Sequence, residues 1–85
     1  MQLGRVIGQA TSTVKHESLV GWRLLIVQPL NNAREPEADP VVAIDKFNGG
    51  VGQMVIFNSD GDGARNYIGD KKSPVRFYVV GIVNE

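Results

Sequence analysis

Val41-Val42-Ala43-Ile44-Asp45, then Lys46-Phe47-Asn48-Gly49-Gly50-Val51-Gly52-Gln53, then Met54-Val55-Ile56-Phe57-Asn58-Ser59: the stretch from 41 to 59 decides how the chain is read. Two apolar runs rich in β-branched residues flank a glycine-rich loop, and an aspartate closes the first run. The unit reads as two strands and a structured connection. The other apolar runs read as its supports.

Upstream, Met1 to Val14 mixes β-branched residues with Gly4 and Gly8 and reads as a long first strand. A glycine inside a strand often marks a bend or bulge, so a bend is expected near Gly8. Lys15-His16-Glu17-Ser18 reads as a polar turn, with Gly21 at a tight backbone position. Trp22 to Leu30 is the second strand, built on the continuous run Leu24-Leu25-Ile26-Val27. Asn31 to Pro40 holds two prolines and three acidic residues and reads as an exposed loop.

Downstream of the central unit, Asn58 to Gly63 reads as a turn and Ala64 to Ile68 as a helix of one or two turns. Asp62 is the expected N-cap and Gly69 the terminator. Lys71 to Pro74 is a polar connection, and Arg76 to Val83 is the last strand. The chain is therefore expected to be a single domain over residues 1–85. Its class is all-β: a small closed or nearly closed five-stranded barrel with one short helix before the last strand.

Composition narrows the partners. A domain of 85 residues buries only about 60–65% of its unfolded surface, so its core alone gives thin stability. The absence of cysteine removes disulfides and thiolate metal sites as staples. Nine basic residues balance nine acidic ones, which argues against a general phosphate-backbone binder. No stretch reaches the ~20 apolar residues of a membrane helix. Met1 to Arg5 lacks the charged start and apolar centre of a signal peptide, so the expected location is the cytosol.

Four of the five strands carry apolar runs without polar alternation. A small barrel has one interior, so each strand should hide one face and wet the other. The outward apolar faces imply burial against further copies of the chain.

The motifs that suggest chemistry each fall short. Gly50-Val51-Gly52 starts like a dinucleotide fingerprint, but the third glycine position is Val55. Asn58, Asp60, Asp62 and Gly63 match the first half of a calcium loop, but Gly69 stands where the bidentate glutamate belongs. His16 is the sole histidine and lacks a nucleophile-and-orienter constellation. Asp45 reads as an acceptor for the backbone N–H groups of the loop after it rather than as a catalytic carboxylate. Arg5, Arg23, Arg65 and Arg76, with Tyr67, Phe77 and Tyr78, leave one alternative open: an OB-like single-stranded nucleic-acid binding domain. No catalytic, cofactor-binding or metal-ligating residue is assigned, and no enzyme activity is expected.

Four stretches together resemble the EutN/CcmL family, the pentameric vertex proteins of bacterial microcompartment shells. They are Gly8 to Gly21 with Thr13-Val14-Lys15-His16, then Leu24 to Leu30, then Val42 to Asp45 with Gly49 to Val55. The fourth comprises Ala64-Arg65, Ser73-Pro74-Val75 and Val80 to Val83. Phe47-Asn48-Gly49-Gly50 departs from the family's small-residue pattern at the loop, Gln53 stands where a glutamate is common, and Asp60-Gly61-Asp62-Gly63 replaces a shorter serine-rich turn. The resemblance implies an OB-like barrel and a homopentamer that caps the vertices of a polyhedral shell, beside hexameric and pseudohexameric shell proteins. It implies no nucleic-acid or membrane partner. It places Asn48, Gly49, Gly50, Val51, Gly52 and Gln53 at an axial pore. It places Lys15, His16 and the 31–40 loop against shell neighbours.

Overall fold

The computed structural model describes residues 1–10, 22–69 and 76–84. In chain order these form β1 (Gln2–Gln9), β2 (Arg23–Leu30), β3 (Val41–Asp45), β4 (Met54–Ser59), α1 (Gly61–Ile68) and β5 (Phe77–Val83). The strands close into a barrel in the order β1-β2-β3-β5-β4. Every pairing is antiparallel except β3 with β5, which run parallel. The parallel seam requires a crossover, and the segment containing α1 supplies it.

The expected strands all form, with shifted ends. Strand β1 stops at Gln9, and the part of the expected first strand beyond Ala10 lies outside the described residues, as do the polar turns at 15–18 and 71–74. The bend expected near Gly8 is present as a bulge. Val6 pairs with Val27 and Gly8 with Ile26, which leaves Ile7 as the extra residue. A second bulge lies in β5, where Phe57 faces Val79 and Ile56 faces Gly81, leaving Val80 unpaired.

The expected turn at 58–63 and the N-cap at Asp62 are corrected. Asn58 and Ser59 finish β4, and the helix begins at Gly61. Asp60 is the cap: its extended backbone (φ −155°, ψ 114°) aims the carboxylate at the Asp62 N–H, which donates at 3.1 Å. Glycines at 61 and 63 weaken the helical signal in the sequence and so hid the first turn. Gly69 ends the helix as expected, in the left-handed region (φ 81°) with its N–H on the Arg65 carbonyl.

Alternation along the strands sends Val6, Leu25, Val27, Ala43, Val55, Phe57 and Val79 into one core. Gly4 belongs to that interior because nothing larger fits. A Cβ there would stand 2.8 Å from Phe57 Cε1 and would also meet Val27 and the Gln28 carbonyl. Leu24 and Ile44 alternate to the outer side, yet they are buried too. The helix lies over the adjoining β3–β5 seam. The Tyr67 hydroxyl accepts from the Lys46 N–H at 3.2 Å and donates to the Val79 carbonyl at 2.7 Å, which straps α1 across the β3–β5 seam. Trp22, Tyr67 and Tyr78 stack beside it, with ring centroids 5.7 and 5.1 Å apart. Burial pushes the Tyr67 phenol up to about 12.

Gly4→Ala tests the interior packing. Overfilling a site walled by Val27 and Phe57 is expected to cost ~1–3 kcal/mol, read from urea unfolding. A loss under a few tenths would show that the barrel interior yields freely.

Candidate functional site: the glycine loop across the barrel end

The loop from Lys46 to Gln53 leaves the end of β3 and returns at β4, which is not the neighbouring strand. It must therefore cross the barrel's end. Four sets of contacts hold it there.

The first is Asp45, the one buried charged residue among those described, at 2% exposure. Its Oδ1 accepts the Phe47 N–H at 2.9 Å and its Oδ2 the Gly49 N–H at 2.8 Å. A carboxylate holding two backbone donors offsets much of its own desolvation. The second is Arg23. Its Nη2 donates to the Gly49 carbonyl at 2.6 Å. Its Nε lies 3.8 Å from Asp45 Oδ2, within ion-pair range but beyond hydrogen-bond length. Arg23 and Asp45 are paired across β2 and β3, so strand register sets this triad of carboxylate, guanidinium and loop backbone.

The third set ties the loop to β1. The Gly52 N–H donates to the Val6 carbonyl at 2.8 Å, the Val6 N–H donates to the Gln53 carbonyl at 2.9 Å, and Arg5 Nη1 donates to the Gly52 carbonyl at 2.8 Å. The fourth is internal: Gln53 Oε1 accepts the Gly50 N–H at 2.6 Å. The backbone turns through the left-handed region at Asn48 (φ 61°) and Gly52 (φ 94°). Asparagine and glycine are the residues that tolerate it. Gly49 is buried because a Cβ there would come 3.3 Å from Leu25 Cδ1, at the edge of the core.

The polar atoms named above thus turn inward, toward the loop's own backbone. What the loop presents outward is Lys46, Phe47 at 43% exposure, Asn48, Val51 at 64%, Gly52 and Gln53. From Phe47 to Gln53 the surface carries no charge, which suits it to packing closely against other chains.

The structure brings Asn48 to Gln53 together in that tip, as one segment. Lys15 and His16 lie outside the described residues. Sequence reasoning identified Asp45 as the loop's acceptor, and the two N–H donors bear that out. It missed Arg23 and Arg5, because nothing local indicates that β1 and β2 deliver them to the same loop. These two arginines also bear on the nucleic-acid alternative, which finds no support. Arg5 and Arg23 bind the loop backbone and Arg65 pairs with Asp62 on its own helix, so three of those four arginines are held in structural contacts rather than lined up as a phosphate-tracking stripe. The half-match to a calcium loop dissolves likewise. Asn58 is on a strand, Asp60 caps a helix, and no group of three or more His, Asp or Glu among the described residues is placed to hold a metal.

Asp45→Asn is expected to lower stability by ~2–4 kcal/mol in urea unfolding, since it sets an amide donor against loop donors and leaves Arg23 without its countercharge. A change under ~1 kcal/mol would show that the loop is held without the carboxylate.

Comparison with known proteins agrees with this architecture. The family model described as ethanolamine utilisation protein EutN/carboxysome matches residues 1–84. The bacterial microcompartment shell vertex protein GrpN of Rhodospirillum rubrum is 42% identical over 84 residues, covering 99% of this chain and 93% of GrpN. The carboxysome shell vertex protein CcmL of Gloeobacter violaceus is 38% identical over 84 residues, covering 99% of this chain and 83% of CcmL. The solved structure of GrpN, a pentameric microcompartment shell protein, superposes with a TM-score of 0.83 at 40% identity over 100% of this chain and 95% of that one. The chain, a closed five-stranded barrel with its helix before the last strand, belongs to the EutN/CcmL family.

Proposed function

We propose that this chain is a structural protein of a bacterial microcompartment shell, forming homopentamers that cap the vertices of the polyhedron inside the bacterial cytoplasm. The family match over residues 1–84 carries this reading. It is supported by relatives named as shell vertex proteins and by the pentameric GrpN structure. The mechanism is geometric. A flat sheet of hexagonal tiles cannot close, and each five-fold unit supplies curvature. The ring interface is heterologous and closes on itself after five copies.

In that ring the tip Asn48 to Gln53 stands at the five-fold axis and lines a narrow channel. An uncharged tip of glycine backbone suits it, because five copies can converge there without a charge clash. Lys15, His16 and the 31–40 loop face the hexameric and pseudohexameric tiles. The 31–40 loop is shaped for exposure. Asn31 Oδ1 accepts from the Ala33 and Glu35 N–H groups at 2.9 Å each, and Gln28 Nε2 donates to the Ala38 carbonyl at 3.0 Å. Its acidic Glu35, Glu37 and Asp39 are all left in solvent.

The assembled protein tests the vertex reading. Light scattering should give five times the 9.3 kDa subunit mass, and a crystal structure should show the 48–53 tips ringing the axis. Gly50→Leu is the informative variant, since Gly50 has an ordinary φ and only Gln53 Oε1 nearby, at 3.7 Å. It should narrow the axial opening; an unchanged opening removes the tip from the channel. For the neighbour contacts, Lys15→Glu combined with Glu35→Lys should leave shells open or elongated in electron micrographs of cells. Normally closed shells would dismiss that assignment.

A further inference from the structure

Conformation and packing leave little choice of residue at positions 48 and 49. The backbone at Asn48 is left-handed, with φ 61°, which favours asparagine, aspartate or glycine. Position 49 is buried, and a Cβ there would come 3.3 Å from Leu25 Cδ1 and 3.6 Å from Asp45 Oδ2, which favours glycine. The loop thereby carries an Asn–Gly pair. Of the chain's asparagines, only Asn48 precedes a glycine. Lacking a Cβ, a glycine leaves its own nitrogen open to attack on the side chain before it, so this pair is chemically fragile.

The reaction needs no second protein. A base removes the Gly49 amide proton, and the nitrogen attacks Asn48 Cγ. The N–Cγ bond forms, the Cγ–Nδ2 bond breaks, and ammonia leaves with a proton from water. Water then opens the five-membered imide at either carbonyl, giving aspartate or its β-linked isomer. One water is consumed, one ammonia is released, and a neutral amide becomes a carboxylate.

The local geometry opposes the first steps. The Gly49 N–H donates to Asp45 Oδ2 at 2.8 Å. Removing its proton would set an amide anion against a carboxylate that is only 2% exposed, where charges are weakly screened. Attack also requires the peptide plane to swing toward the Asn48 side chain. The other Asp45 oxygen holds the Phe47 N–H at 2.9 Å, and Arg23 Nη2 holds the Gly49 carbonyl at 2.6 Å, so the backbone is pinned on both sides of Asn48. Asn48 itself is exposed, so water has access to it.

We propose that Asn48 is a latent self-modification site and that Asp45 is the latch that suppresses its cyclisation onto the Gly49 nitrogen. The hydrogen bond that shapes the loop also preserves the amide beside it. When the loop opens or the chain unfolds, Asn48 converts, and a carboxylate appears on a surface that is uncharged from Phe47 to Gln53.

Peptide mapping by mass spectrometry, after incubation in mildly alkaline buffer, measures the conversion. At Asn48 it should run at least about tenfold slower in the folded protein than in the same chain in urea. Asp60–Gly61 and Asp62–Gly63 can reach the same ring, but they are acids already and their mass does not change. An Asp45→Ala protein that keeps its far-UV circular dichroism should lose the protection. Gln53→Ala, which frees the Gly50 N–H and leaves the latch intact, should keep it. Hydrogen exchange at the Gly49 amide of the wild type begins with loss of the same proton, so it should be slowed by a similar factor. That measurement decides the matter if Asp45→Ala does not fold. Equal conversion in folded and unfolded wild type overturns the latch. So does a folded Asp45→Ala protein that converts no faster, or a Gly49 amide that exchanges as freely as an open loop. The consequence for assembly rests on the vertex reading. Asn48→Asp installs the product's charge, and its pentamer should dissociate more readily at low salt than at high salt. A pentamer that ignores the substitution takes the tip off the five-fold axis and leaves the latch standing.

Discussion

A buried carboxylate governs the working end of this molecule. Asp45 sits at the last position of β3 and takes the N–H groups of Phe47 and Gly49 on its two oxygens. Arg23 supplies the countercharge and a donor to the loop carbonyl from across the β2–β3 pair. Without that acceptor the loop would have to bury backbone donors unpaired at the barrel's mouth, at ~1–3 kcal/mol each. With it, a segment containing three glycines is held in one conformation. The loop's path is set in large part from a strand end, with the Gln53–Gly50 bond inside the loop adding to it.

The barrel itself depends on this crossing. Strands β3 and β4 are consecutive in sequence but separated by β5 in space, so the 46–53 loop must span the barrel end. The segment with α1 must then bring the chain back for a parallel pairing. Tyr67 closes the arrangement by bonding the start of the loop at Lys46 and the middle of β5 at Val79, with the Lys46 ammonium 4.1 Å from its ring centre. Loop and helix are thereby joined, so the surface presented at a proposed five-fold axis is fixed to the crossover behind it.

The apolar outward faces illustrate how sequence and structure divide the explanation. Continuous runs such as Leu24 to Val27 and Val41 to Ile44 implied more apolar surface than one small interior could hide. Part of that excess is absorbed within the protomer, where Ile44 and Leu24 are buried on the outer side. The rest stays exposed on outer faces, as at Ile7 and Val42. The sequence pattern could not separate the two portions, because covered and open residues have the same type and the same alternation.

Sequence by itself determined the strand segments, the glycine loop, the acceptor role of Asp45, the helix terminator at Gly69 and the bend near Gly8. Each follows from local chemistry: β-branched runs, backbone capping, and the left-handed freedom of glycine. The family resemblance was likewise carried by residues in order along the chain. Only the tertiary structure decided the closure order β1-β2-β3-β5-β4 and the delivery of Arg5 and Arg23 to one loop. Those depend on register between segments distant in sequence. Register is set by which side chains fill a shared interior, and no local window of residues contains that information.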